Sequence, residues 1–198
     1  MRILVVGAGG VGGAIATASA RREFFEHCTV ADIDGGRATA VAEGTGDRRF
    51  DAATVDASDA GAIAELARSV RADVVMNAAD PRFVMPIFDA AFAADAHYLD
   101  MAMSLSRRHP TEPFSRTGVM LGDEQFARSA DWEARGRLAL CGIGVEPGLS
   151  DIFARYARDH LFSEVHEVGV RDGANLEVEG YAFAPTFSIW ATIEEDRK

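Results

Sequence analysis

The stretch ILVVGAGGVGGAIA, residues 3–16, constrains this chain more than any other. A continuous apolar run ends on glycines, and an alanine-rich helical pattern starts among them. Glycine is a poor helix former, so its repetition there needs a reason. Gly7, Gly9 and Gly12 form G-x-G-x-x-G between a strand and a helix. In that pattern the first glycine permits a tight turn. The second lets the backbone approach a pyrophosphate, and the third lets the helix pack closely on the sheet. The free N–H groups and partial positive charge of the helix head suit a diphosphate. Gly10 and Gly13 keep the loop small without a defined role of their own.

Further along, strand-like and helix-like runs alternate. Strands are expected at 2–6, 28–32, 52–57, 72–79, 97–103 and 137–144. Helices are expected at 10–22, 36–44, 60–71, 86–96 and 123–136, and from Ser150 or Asp151 to about 161. Ser58 and Asp59 offer an N-cap to the third of these helices. Continuously apolar strands separated by helices predict a parallel sheet covered on both faces. With right-handed crossovers this is an α/β, doubly wound Rossmann sheet. That sheet accounts for residues 1–146. Residues 147–198 read as the beginning of a second, α+β domain, with a strand expected over 164–174 and apolar surface around Phe183, Phe187 and Trp190. Residues 104–122, with Pro110 and Pro113, read as a long loop able to act as a lid.

Asp32 ends the second strand, twenty residues past Gly12. A carboxylate there accepts hydrogen bonds from the adenine ribose hydroxyls and repels a 2′-phosphate. The residues therefore point to NAD, with Arg37 as the group that would admit NADP. The cofactor-binding set expected at the carboxyl edge of the sheet is Gly7, Gly9, Gly10, Val11, Gly12, Asp32, Ile33, Asp56, Asn77, Ala78 and Ala79. Asn77 has two open readings, a bond to the cofactor ribose or a cap on its own turn. Asp34, in DIDGG, reads as a turn residue.

Composition removes several function classes. The formal net charge is −11, with arginines single or in pairs, so neither nucleic acid nor an anionic membrane is an expected partner. Cys28 and Cys141 are the only cysteines and lack metal-ligand spacing, so two reduced thiols and no metal are expected. Met1 and Arg2 lead straight into a strand, no run reaches membrane-spanning length, and the cytoplasm is the expected location. Lys198 is the only lysine. Neither Tyr98 nor Tyr156 has a lysine four residues on, which excludes the Tyr-x-x-x-Lys chemistry of short-chain dehydrogenases.

VVGAGGVGGAIA, ADID, VDASD, DVVMNAADPRF, YLDMAMS and GIGVEPGLSDIFARYA together resemble the saccharopine dehydrogenase-like superfamily. The resemblance runs over nearly the whole chain. It implies an NAD(P)-dependent oxidoreductase acting on a carbon–nitrogen bond of an amino acid or imine. It also implies a substrate domain after the dinucleotide domain, a homodimer formed through that second domain, and a chain cut short inside it. Under that chemistry Asp100 and Glu146 are the candidate catalytic groups. Asp100 would hold a substrate ammonium or relay a proton; its other reading is a cap on the next loop. Glu146 would face substrate beside the Pro147–Gly148 turn; its other reading is structural. Arg82 is a candidate clamp for a substrate carboxylate, and His97 reads as structural. The rival class is a non-catalytic NAD(P)-sensing Rossmann module.

Overall fold

A computed structural model describes residues 1–171 and 179–180. It divides into two units, Met1–Ile152 and Phe153–Lys198; the sequence placed the division between 146 and 147. The first unit is built on six strands: β1 (Arg2–Val6), β2 (His27–Asp32), β3 (Phe50–Thr54), β4 (Val74–Asn77), β5 (His97–Asp100) and β6 (Ala139–Leu140). They lie in the order β3-β2-β1-β4-β5-β6, and every pairing is parallel. The strand order reverses direction between β1 and β4, which opens a crevice at their carboxyl ends.

The helices are α1 (Gly10–Ser19), α2 (Gly35–Gly44), α3 (Ala60–Ser69), α4 (Val84–Ala93), α5 (Asp123–Phe126), α6 (Ser129–Ala134) and α7 (Leu149–His160). Period-two alternation along β1 feeds two cores. Leu4 and Val6 join Ile63, Ile87, Phe88, Tyr98 and Trp132 on one face. Ile3 and Val5 join Ala16, Phe25, Val30 and Phe50 on the other. Asp34 caps α2 by accepting from Gly36 N and Arg37 N, and Asp59 caps α3 by accepting from Ala62 N. Both caps follow the expected side-chain chemistry.

Four elements differ from the sequence expectation. The strands expected at 97–103 and 137–144 stop at Asp100 and Leu140. Beyond them the backbone donors turn to another partner: Met103 N and Gly142 N both go to the Asp100 carboxylate. Met103 has φ +63° and Gly142 φ +67°, which neither residue adopts within a strand. The single helix expected over 123–136 is broken between α5 and α6. There the Ser129 hydroxyl donates to Phe126 O at 2.7 Å, competing with the helical ladder. In the second unit, residues 164–171 carry no regular structure, so the described part of the 164–174 stretch is not a strand. Phe183, Phe187 and Trp190 lie outside the described residues. Among the described residues no helix is long and apolar enough to cross a membrane, and no acidic, His or Cys group has the makings of a metal site.

Both cysteines are reduced. Burial pushes the Cys28 thiol up to about 12; burial and then the Asp100 charge push Cys141 up to about 12. Thiolate is the reactive form. Iodoacetamide at mildly alkaline pH is therefore expected to label neither cysteine until denaturant is added. Mass spectrometry of the folded protein checks this, and rapid modification of either thiol contradicts the packing.

Candidate functional site

The crevice where the strand order reverses is a cleft of about 270 Å³. It brings together Gly7, Gly9, Asp32, Ile33, Asp56, Ala78 and Ala79 from the expected set. Gly10, Val11 and Gly12 are not in its wall; they form the first turn of α1. A larger hollow of about 420 Å³ lies between α2 and the start of β3, lined by Thr39, Glu43, Asp47 and Phe50 among others. It sits beside the edge strand, away from the glycine loop and from the strand carboxyl ends, and none of the expected site residues reaches it. The expected cofactor-binding residues gather at the smaller cleft.

The three glycines divide the work. Gly7 has φ +110°, and a Cβ built on it falls 2.6 Å from the Ala78 carbonyl carbon and oxygen. A Cβ on Gly12 falls 1.9 Å from the Gly7 carbonyl oxygen. The close approach at Gly12 is thus to the turn that ends β1 rather than to a strand. Around Gly9 and Gly10 a Cβ meets nothing within 4 Å. That free space lies over the head of α1, whose N-cap is Gly9 without any side-chain cap bond and whose first turn holds no acid. Bare N–H groups beside open space fit a diphosphate.

Asp32 is 9% exposed. Its Oδ2 accepts from Ala8 N at 2.8 Å and its Oδ1 from Asp34 N at 3.0 Å. The carboxylate therefore fixes the glycine loop to β2, and its remaining lone pairs are what a ribose would meet. Arg37 Nη1 lies 3.6 Å from Asp32 Oδ1, and Nη2 lies 3.9 Å from Asp34 Oδ2. Asp56 lines the cleft just past the end of β3, next to Val55, whose N–H donates to Asp32 O. Asp56 accepts from Ser58 N and Oγ, and the backbone bond, then the hydroxyl bond, holds its carboxyl below the usual range. Ile33, 68% exposed, offers an apolar surface at the same mouth.

Asn77 takes the cap reading. Its Oδ1 accepts from Ala79 N at 3.0 Å, and its Nδ2 donates to the Tyr98 hydroxyl at 3.2 Å. It is buried and does not line the cleft. The two carboxylates expected to do chemistry differ sharply in exposure. Asp100 is 1% exposed and accepts from Tyr98 Oη, Gln125 Nε2, Gly142 N and Met103 N. Four donors enclose it, Met103 N of the following loop among them, as in its reading as a cap on that loop. Glu146 is exposed, on the loop before α7. Arg82 is held by Asp80, Nε to Oδ1 at 2.9 Å, rather than extended into the cleft. His97 is structural, with Nδ1 accepting from Leu138 N. The 104–122 loop is tied shut at its base by Gly122 N donating to Ser104 O, and Arg107 pairs with Val119 across it.

Asp80 and Phe83 line the cleft without belonging to the cofactor-binding set named from the sequence. The signal for Asp80 was present: Asp before Pro81 reads as a cap on a short helical turn, and Asp80 does accept from Arg82 N there. Phe83 carries no such mark, because an aromatic residue after a turn reads as core.

The family described as Saccharopine dehydrogenase NADP binding domain matches residues 3–140. Carboxynorspermidine synthase of Vibrio alginolyticus is 29% identical over 196 residues, covering 94% of this chain and 46% of that protein. Carboxyaminopropylagmatine dehydrogenase of Synechocystis is 29% identical over 194 residues, covering 98% and 46%. The chain thus spans about half the length of the curated relatives it matches. Among solved structures, apo saccharopine dehydrogenase (L-Glu forming) of Saccharomyces cerevisiae superposes with a TM-score of 0.60 at 19% identity, covering 81% of this chain and 31% of that one. Apo scyllo-inositol dehydrogenase of Lactobacillus casei gives 0.53 at 14% identity, covering 80% and 41%. Both likenesses are of fold.

Proposed function

Since the chain belongs to the saccharopine dehydrogenase NADP-binding domain family, we propose that its cleft holds a nicotinamide dinucleotide and serves an oxidoreductase acting on a carbon–nitrogen bond. The observation that carries this reading is the open space over Gly9 and Gly10 at the uncapped head of α1, in the same cleft as Asp32. The backbone N–H groups of that turn hold the diphosphate. Asp32 takes the adenine ribose, with Ile33 and Asp56 flanking the base. The wall formed by Ala78 and Ala79 lies toward the nicotinamide half. Hydride transfer is the chemistry supplied there when the cofactor is bound.

Asp32 and Arg37 together set the preference between NAD and NADP. The carboxylate favours a free 2′-hydroxyl, and the guanidinium beside it offers a counter-charge for a 2′-phosphate. Asp32→Ala is expected to weaken NADH binding by about 1–3 kcal/mol through lost charge-assisted hydrogen bonds. Asp32→Ser is expected to move the preference toward NADPH. Fluorescence titration of the whole chain with each nucleotide checks both, and unchanged affinity in Asp32→Ala contradicts the ribose assignment.

For the substrate, the names of two relatives favour a carboxylated polyamine over saccharopine or lysine. The net charge of −11 is in keeping with a polycationic ligand. Reduced-nucleotide formation with a panel of carboxylated polyamines, saccharopine and lysine tests this; turnover confined to lysine or saccharopine overturns it.

A further inference from the structure

We propose that Tyr98 and Asp100 are positioning residues for the nucleotide cleft, acting through the orientation of the Asn77 amide. The inference rests on the reading of that cleft as the dinucleotide site.

The Asp100 carboxylate receives four hydrogen bonds from neutral donors: Tyr98 Oη at 2.8 Å and Gln125 Nε2 at 2.7 Å on Oδ2, Gly142 N at 2.6 Å and Met103 N at 3.3 Å on Oδ1. An ionised carboxylate only accepts, with roughly four lone-pair sites. The four donors fill them, so the direction of every bond around the group is fixed. Tyr98 has one hydroxyl hydrogen, and Asp100 takes it. Toward Asn77 the Tyr98 oxygen is therefore an acceptor only. Asn77 must present its NH₂ there, which turns its Oδ1 to the Ala79 N–H at 3.0 Å. The flipped amide would set oxygen against a lone pair at one end and NH₂ against N–H at the other.

The turn fixed in this way is a wall of the cleft. Ala78 and Ala79 line it, and Ala78 N donates to Val6 O at the end of β1. The Ala78 carbonyl also lies where a Gly7 Cβ would stand. A displaced 77–80 turn therefore moves the first glycine of the dinucleotide loop. The same carboxylate orients a second amide: Gln125 gives its NH₂ to Asp100 and accepts from Ser104 N at 2.8 Å with its Oε1. One buried anion thus orders the turn after β4, the turn after β5 and the base of the 104–122 loop without touching the cleft. Tyr98 reaches the core on its ring side, against Phe88 and Trp132. Its hydroxyl, raised in pKa by burial and then by the Asp100 charge, stays protonated for this role.

The test compares Tyr98→Phe, which keeps the ring and removes the hydroxyl, with Ile63→Val, a core truncation outside the network. Two readouts are taken on the whole chain well below the melting temperature. They are the Kd for NADH and NADPH by fluorescence, and hydrogen exchange at the Ala79 amide. Tyr98→Phe is expected to raise the Kd about five- to twentyfold and to speed Ala79 exchange about tenfold or more. Ile63→Val is expected to leave both within about twofold. Equal behaviour of the two variants overturns the inference. If the wild-type chain binds neither nucleotide, the cleft reading fails, and Ala79 exchange alone decides whether Tyr98 orders the turn. Should Tyr98→Phe not fold, Asn77→Asp, which puts an acceptor against the Tyr98 lone pair, is expected to give the same two shifts. Wild-type values for both then overturn the inference.

Discussion

Gly12→Val is expected to cost the first unit about 3 kcal/mol or more and to abolish dinucleotide binding. Even the first side-chain carbon would stand 1.9 Å from the Gly7 carbonyl oxygen, and that oxygen is backbone. Relief requires α1 to move off the turn that ends β1. Overpacking in a fitted interior costs about 1–3 kcal/mol where side chains can yield; here no flexible atom can. Gly9→Ala is the informative partner. Gly9 has φ −77°, which any residue adopts, and free space where the Cβ would go. The fold is expected to tolerate that change within about 0.5 kcal/mol, while the added methyl occupies ground assigned to the diphosphate. Urea denaturation and NADH titration of both variants separate the roles. Gly12→Val must lose stability and binding, Gly9→Ala binding alone. Undiminished binding in Gly9→Ala removes the diphosphate from that place.

Asp100→Leu is the second large effect. It leaves Tyr98 Oη, Gln125 Nε2, Gly142 N and Met103 N facing an apolar side chain in a position 1% exposed to solvent. Each buried donor left unpaired costs about 1–3 kcal/mol, so the sum is about 4 kcal/mol or more. Domains of this size have only about 5–15 kcal/mol in total. A fall in the urea midpoint well beyond that of Asp34→Ala is expected, since Asp34 is a solvent-facing helix cap whose loss costs about 1 kcal/mol. Equal falls would mean that water reaches the Asp100 donors. The same burial goes with the second of the two readings its place at a strand end allowed, a cap on the loop that follows. The geometry gives it to the protein's own backbone and side chains.

The chain itself carried the parallel sheet, the glycine loop, the place of Asp32 at the end of β2 and the Asp59 cap, because those signals are local. A strand, a turn and a helix head are written in consecutive residues, and apolar periodicity reports which faces are covered. It carried much less about the far half of the sheet. YLD and GIG read as long strands, and DEQF through EARG as one helix, yet each is cut short where a backbone donor or a serine hydroxyl finds a competing partner. Asp100 shows why those partners were invisible. Gln125 and Gly142 reach it from 25 and 42 residues away. A carboxylate at the end of a strand has the same letter whether it meets solvent or four donors. Only the closing of the sheet decides which, because it is packing that removes the water and leaves the donors nowhere else to go.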